Sequence, residues 1–244
     1  MTGAFLGAFL NAVAILLGAL FGLVRREPLT LRTQKSCQSA LGAFTAFCGL
    51  QLVWLNVSGS FTVVLTQLFL AVLAVVLGNL LGKILGLQKI SNRLGRHAAQ
   101  LLARAGENPA TRPADGFWAA TILFCAAPMG IIGALTDGLG YYFYPLAVKG
   151  VMDGLAMTSF VKSLRWPVAM SALPLFLFLN SLTWLAEKPL AGWLTNPALM
   201  HSFNIAAGLI LCAITLLILQ VRRVEIANYL PALALAPLLT HWLG

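Results

Sequence analysis

Apolar residues fall along this chain in runs of about the length that crosses a bilayer, at 4–24, 37–56, 62–82, 116–137, 142–161, 166–186, 202–221 and 226–243. A helix needs roughly 20 apolar residues to cover about 30 Å of hydrocarbon. The pattern therefore predicts an all-α polytopic membrane protein with about eight transmembrane helices. A transmembrane barrel would show alternating ten-residue segments, and an open sheet would strand backbone groups in lipid. The last run, "IANYLPALALAPLLTHWL", is short and carries Pro231 and Pro237. Proline removes a helix hydrogen bond, so a kinked, tilted or re-entrant segment is expected there. The first run reads as a retained span rather than a signal peptide, because Arg25 and Arg26 follow it and no positive region precedes it.

Composition agrees: of 244 residues, 59% are hydrophobic and 9% charged. Lys plus Arg outnumber Asp plus Glu by 16 to 7. On a soluble chain that surplus would suggest nucleic acid. Here the basic residues sit in short loops, and no nucleic-acid partner is expected. Arg25, Arg26, Arg32 and Lys35 follow the first run, and Lys83, Lys89, Arg93, Arg96, Arg104 and Arg112 the third. Lys162 and Arg165 follow the fifth, and Arg222 and Arg223 the seventh. These alternate loops would be cytoplasmic by the positive-inside rule, with both termini outside. Cys37, Cys48, Cys125 and Cys212 lie in or beside apolar runs without metal-ligand spacing.

The segment "QKISNRLGRHAAQLLARA" (88–105) has an apolar stripe of Ile90, Leu94, Ala98, Leu101, Leu102 and Ala105, with Lys89, Arg93, Arg96 and Arg104 mostly elsewhere. That is the pattern of an amphipathic helix on the inner leaflet, drawn to anionic lipid. A solvated basic linker suits 106–113.

Charge inside the apolar runs is the other signal. Residues 125–154 carry Asp137, Lys149 and Asp153. Lys149 and Asp153 are four apart, on one face of a helix, where they can pair. A charge at bilayer centre costs about 2.5–3.5 kcal/mol on insertion scales, so such residues mark solute pathways or lock helices together. A polar cavity beside the pair is the functional expectation. Asp137 ends its run and could lie at the outer interface. Asn11, Asn79, Asn180 and Asn204 sit in other runs; amides there often bond a neighbouring helix for about 1 kcal/mol or less. Gly18 with Gly22, and Gly78 with Gly82, form small faces suited to close helix packing. Pro128, followed by Gly130 and Gly133, predicts a kink or break in the fourth run. Exposed ends of broken helices can hold ions.

"LLGALFG" (16–22) and "IIGALTDG" (131–138) resemble each other, and three runs separate their starts. This is the arithmetic of an inverted 3+3 repeat: halves 1–87 and 114–187, a basic connection 88–113, and appended helices in 202–243, all within one membrane domain.

Together these residues resemble the YqgA/YdfK-like bacterial membrane proteins, the family catalogued as domain of unknown function 554. Gly7, Asn11, Ile15, Gly18 and Gly22 match its first block. Cys125, Met129, Ile131, Gly133, Asp137 and Gly138 match its second, and Lys149 with Asp153 its Lys-x-x-x-Asp step. Asn228, Leu230, Pro231 and Ala232 match its closing motif. The chain departs from the family at Ala127, where glycine is usual, and at Pro128, which is outside the pattern. The resemblance implies a bacterial inner-membrane location and draws attention to Asp137, Lys149 and Asp153. It names no substrate.

The leading expectation is a secondary transporter or permease for a small ion or polar solute. Asp153 would bind the proton or ion, Lys149 would be its counter-charge, and Asn11, Gly130, Gly133 and Asp137 would complete the site. Two rivals are an oligomeric ion channel, which implies a homo-oligomer, and a non-transporting scaffold. No Walker A motif, cofactor motif or metal cluster is visible, Lys149 argues against a simple metal cage, and His97, His201 and His241 fall outside span centres. An enzyme is not expected.

Overall fold

A computed structural model describes residues 5–25, 30–107 and 113–243. Arg26, Arg112 and the central part of the 106–113 linker lie outside them. The described residues are helical, with no strand among them. Six helical stretches are long and apolar enough to cross a membrane: Leu6–Val24, Leu31–Asn56, Phe61–Leu85, Trp166–Trp193, Pro197–Ile218 and Ile226–Leu243. The pair Pro113–Cys125 and Pro128–Gly140, bent by 58°, makes a seventh if taken as one span. The fifth expected span, 142–161, corresponds to Tyr144–Leu164, which has 21 residues but carries Lys149, Asp153 and Lys162 and falls outside that set.

The chain divides into two compact units. The first comprises Met1–Lys35 and Ile90–Leu185. It contains α1 (Leu6–Val24), most of α4 (Leu87–Glu107), α5 (Pro113–Cys125), α6 (Pro128–Gly140), α7 (Tyr144–Leu164), a 3-10 turn (Trp166–Ser171) and α8 (Ala172–Leu185). The inward face of α1 is Gly7, Ala8, Asn11, Ile15, Gly18, Ala19 and Gly22, which is the three-and-four spacing of one helical stripe. Its opposite face exposes Leu16, Leu17, Leu20 and Leu23. Leucines outside and small residues inside are what a helix needs when lipid replaces water, because close packing takes over from the hydrophobic effect. Ile15, Leu146, Met157, Val161, Leu175 and Leu179 belong to the core of this unit.

The second unit comprises Ser36–Lys89 and Ala186–Gly244. It holds most of α2 (Leu31–Asn56), α3 (Phe61–Leu85), a short π turn leading to α9 (Ala191–Trp193), α10 (Pro197–Ile218), a 3-10 turn (Ile226–Tyr229) and α11 (Ala232–Leu243). α2 and α10 run antiparallel, with Gly42 at Leu219, Gly49 at Gly208 and Asn56 at Asn204. α3 ends at Gly86, whose φ of 67° is left-handed; its N–H reaches back to the Gly82 and Lys83 carbonyls. Glycine takes that conformation without a Cβ penalty, which lets α4 start immediately afterwards. Pro231 separates the 3-10 turn from α11, and Pro237 lies inside α11, so the interruption expected in the last run is present.

The stripe expected on 88–105 does form a face of α4. Ala98 and Ala105 are buried and Leu102 packs on the first unit's core, so part of it docks on protein. Ile90 and Leu94 remain exposed, as do Arg93, Arg96 and Arg104.

Candidate functional site

The site is built on a seam between α1 and α7. Contacts rise together along both helices: Gly7 meets Leu146, Asn11 meets Gly150, Gly18 meets Gly154 and Gly22 meets Thr158. The helices therefore run in the same direction. Their approach is set by glycine. A Cβ on Gly18 would stand 2.1 Å from the Gly154 carbonyl oxygen, and one on Gly22 2.6 Å from that of Thr158. Such distances leave no room for a side chain.

The break expected in the fourth run is the second structural component. α5 ends at Cys125, Ala127 is extended (φ −70°, ψ 119°), and Pro128 opens α6. Steric conflict with the proline ring pushes the preceding residue out of the helical region, while proline's fixed φ suits the first turn of a new helix. α6 then packs on α7. A Cβ on Gly130 would lie 2.9 Å from Cε of Lys149, and one on Gly133 2.9 Å from the Leu146 side chain. Gly130 donates its N–H to the Ala127 carbonyl at 2.9 Å. In this conformation both glycines act through close packing.

Lys149 donates to Oδ2 of Asp153, one turn along α7. The side chains are 3% and 12% accessible, so the pair is enclosed. The Lys149 ammonium lies 5.9 Å from the centre of the Phe124 ring at the end of α5. That is within reach of a cation–π attraction. Cys125 follows Phe124 at the end of α5. Asn11 is fully buried and faces the Asp153 carboxylate, yet neither of its amide atoms has a partner with hydrogen-bond geometry. Unmet buried polar atoms are costly and uncommon in native proteins.

Asp137 is fully buried within the protein. Its Oδ2 accepts from the Gly7 N–H at 3.1 Å, while Oδ1 has no partner among the described residues. A carboxylate at the start of α1 meets both an unused amide donor and the positive end of the helix dipole. Asp137 thus anchors the beginning of α1. Gly7 and Asn11 are one turn apart on that helix, so Asp137 and the Lys149–Asp153 pair contact neighbouring turns of one seam.

The Lys149–Asp153 pair is enclosed by protein in this conformation. A groove of about 350 Å³ lies on a different face of α1, lined by apolar side chains including Phe9, Val13, Leu16, Met170 and Phe176. No group of three or more His, Cys, Asp or Glu among the described residues is placed to hold a metal.

Four of the six residues expected at the site (Asn11, Gly130, Lys149 and Asp153) meet around one pair. Gly133 and Asp137 lie further along the same seam. Sequence reasoning missed Gly150 and Gly154, which follow Lys149 and Asp153 by one position and carry the same four-residue spacing. Phe124 had no local signal.

The closing motif lies in the second unit. Asn228 accepts from the Gln88 N–H at 3.0 Å and donates to Glu225 at 2.8 Å, and its backbone packs on Gly82. Ala232 packs on Gly78. Asn204 donates to Asn56 at 2.9 Å, the inter-helix amide bond expected of such residues.

Hydrophobic spans in an all-helical fold, with leucine faces outside and glycine seams inside, define a multi-pass helical membrane protein. Residues 6–241 match the family described as "Protein of unknown function (DUF554)", and the chain belongs to that family. It is 33% identical over 239 residues to the protein of Escherichia coli (strain K12) named "Uncharacterized protein YqgA", covering 97% of each chain. It is 25% identical over 232 residues to the "Uncharacterized membrane protein YdfK" of Bacillus subtilis (strain 168), covering 95% of this chain and 93% of that one. No solved structure matches the chain.

Proposed function

We propose that this protein is a secondary transporter or permease of the bacterial cytoplasmic membrane, moving a small ion or polar solute. One observation carries the reading: a lysine–aspartate pair enclosed in the first unit beside a buried asparagine whose amide is unsatisfied. An ion pair serving packing alone would be more stable with its surroundings fully bonded or replaced by apolar side chains. In the proposed cycle Asp153 takes up a proton or ion, Lys149 is released, and Asn11 gains a partner. The break at Ala126–Ala127 is the hinge on which α6 parts from α7 to admit solute. The alternation of basic loops supports cytoplasmic placement of those loops and periplasmic termini. The exposed arginines and leucines of α4 support contact with anionic lipid at the cytoplasmic face. The cycle needs no cofactor and no covalent chemistry.

The test is purified protein in liposomes, screened for proton-coupled and uncoupled flux beside an Asp153→Asn variant. A coupled, saturable flux that falls at least ~10-fold in the variant, at unchanged elution profile, supports the reading. Unchanged transport by an intact variant removes Asp153 from the mechanism. Ungated current without a coupled gradient favours the oligomeric channel, and no flux from either folded protein favours the scaffold.

A further inference from the structure

The composition of the site narrows the class of solute. Lys149 and Asp153 are enclosed and mutually neutralising. An added charge would be uncompensated in a medium where charge burial costs several kcal/mol. A solute must therefore arrive with a balancing charge, or displace one.

Two exchanges satisfy that condition. A proton on Asp153 with an anion on Lys149 leaves the site neutral, as it began. A cation on Asp153 with loss of the Lys149 proton does so too. The ligands distinguish them. Hard cations take about six or more oxygen ligands. Among the described residues the side-chain oxygen bonded to Lys149 is that of the Asp153 carboxylate, and Asn11 is turned to that same carboxylate. A cation would also stand against an ammonium. Once Asp153 is protonated, the site presents an ammonium, an Asn11 NH2 released from the carboxylate charge and an acid O–H. That set is donor-rich and carries one positive charge. The fully buried Asn11 amide, turned to the Asp153 carboxylate, gives an anion its second ligand once protonation weakens that contact.

The surroundings of Asp153 add no competing charge. Lys149 on its own helix and Cys125 at the end of α5 are the titratable side chains beside it among the described residues. α1 and α8 carry no ionisable side chain in their described lengths, and Asp137 of α6 is engaged with Gly7 at the next turn of α1. Close packing at Gly130 and Gly150, where an added Cβ would meet Lys149 and Asn11 at 2.9 Å, limits the anion to a small one.

We propose, resting on the transporter reading above, that the solute is a small monovalent anion taken up with a proton, the anion held by Lys149 and Asn11 and the proton by Asp153. The step makes no covalent bond other than O–H: the proton moves from bulk water to the Asp153 carboxylate, and the anion replaces that carboxylate on the ammonium.

The experiment uses full-length protein in liposomes loaded with a pH-sensitive dye, facing inward gradients of nitrate or chloride. Parallel arms use Na+, K+ and methylammonium. Nitrate or chloride should acidify the interior without a counter-ion shunt. Asp153→Asn should lose acidification at least ~10-fold while still exchanging labelled anion across the membrane. Lys149→Met should lose both activities, and Asn11→Asp should lose anion exchange at unchanged elution profile. Alkalinisation driven by a cation and sensitive to Asp153→Asn would overturn the anion assignment and leave the transporter standing. Absence of any flux from well-folded wild type would remove both.

Discussion

The two units use the same packing device on different polar contents. In the first, Gly18 and Gly22 bring α1 onto Gly154 and Thr158. In the second, Gly78 and Gly82 bring α3 onto Ala232 and Asn228. Each pair lets backbones approach to a distance that any Cβ would block. What lies along the seam differs. Asn228 is bonded through both ends of its amide, to Gln88 and Glu225. Asn11, at the equivalent kind of contact, has neither end bonded and faces an ion pair. A satisfied amide rigidifies a contact, whereas an unpaired buried one is costly. Small-residue seams therefore mark packing in both units, and the enclosed charge pair beside Asn11 distinguishes the seam of the first.

Four substitutions sharpen that contrast. The largest effect is expected at the seams themselves. A Cβ at Gly18 or at Gly82 would stand 2.1 Å from a backbone carbonyl oxygen, so Gly18→Ala and Gly82→Ala should each cost at least ~3 kcal/mol. Loss of the monodisperse peak in detergent would show it. If either variant purifies normally, the close approach is not what holds that unit together.

An intermediate effect is expected at Asn228. Asn228→Ala removes an acceptor from the Gln88 N–H and a donor from Glu225, at a cost of about 1–2 kcal/mol. Thermal unfolding in detergent should shift downward, while flux per folded molecule should stay within about twofold of wild type, the opposite of Asp153→Asn. Flux that collapses at normal stability would move the site toward the second unit.

The smallest effect is a gain. Gly95 on α4 has nothing within 4 Å of an added Cβ. Gly95→Ala should stabilise by roughly 0.5–1 kcal/mol through helix propensity alone. A loss of stability would show that this surface is covered.

The pair Lys149 and Asp153 was legible because charge in an apolar run is rare and four-residue spacing places it on one face. The break at Pro128 was legible because proline acts on its own backbone and on the residue before it. The burial of Asp137 was not. Its carboxylate meets the start of α1, 130 residues away in sequence, and no local pattern shows that contact. The docking of Ala98 and Ala105 of α4 was equally hidden, since small apolar residues read alike against lipid and against protein.

By itself, then, the sequence determined a helical membrane protein with internal glycine seams, a broken helix and a buried charge pair. These follow from local rules: span length, periodicity, proline geometry and the cost of charge in lipid. Only the tertiary structure decided which helices share a seam, that Asn11 faces Asp153, and that Asp137 anchors α1. Those depend on contacts between distant segments, where burial and hydrogen-bond supply are set by neighbours that the local pattern does not encode.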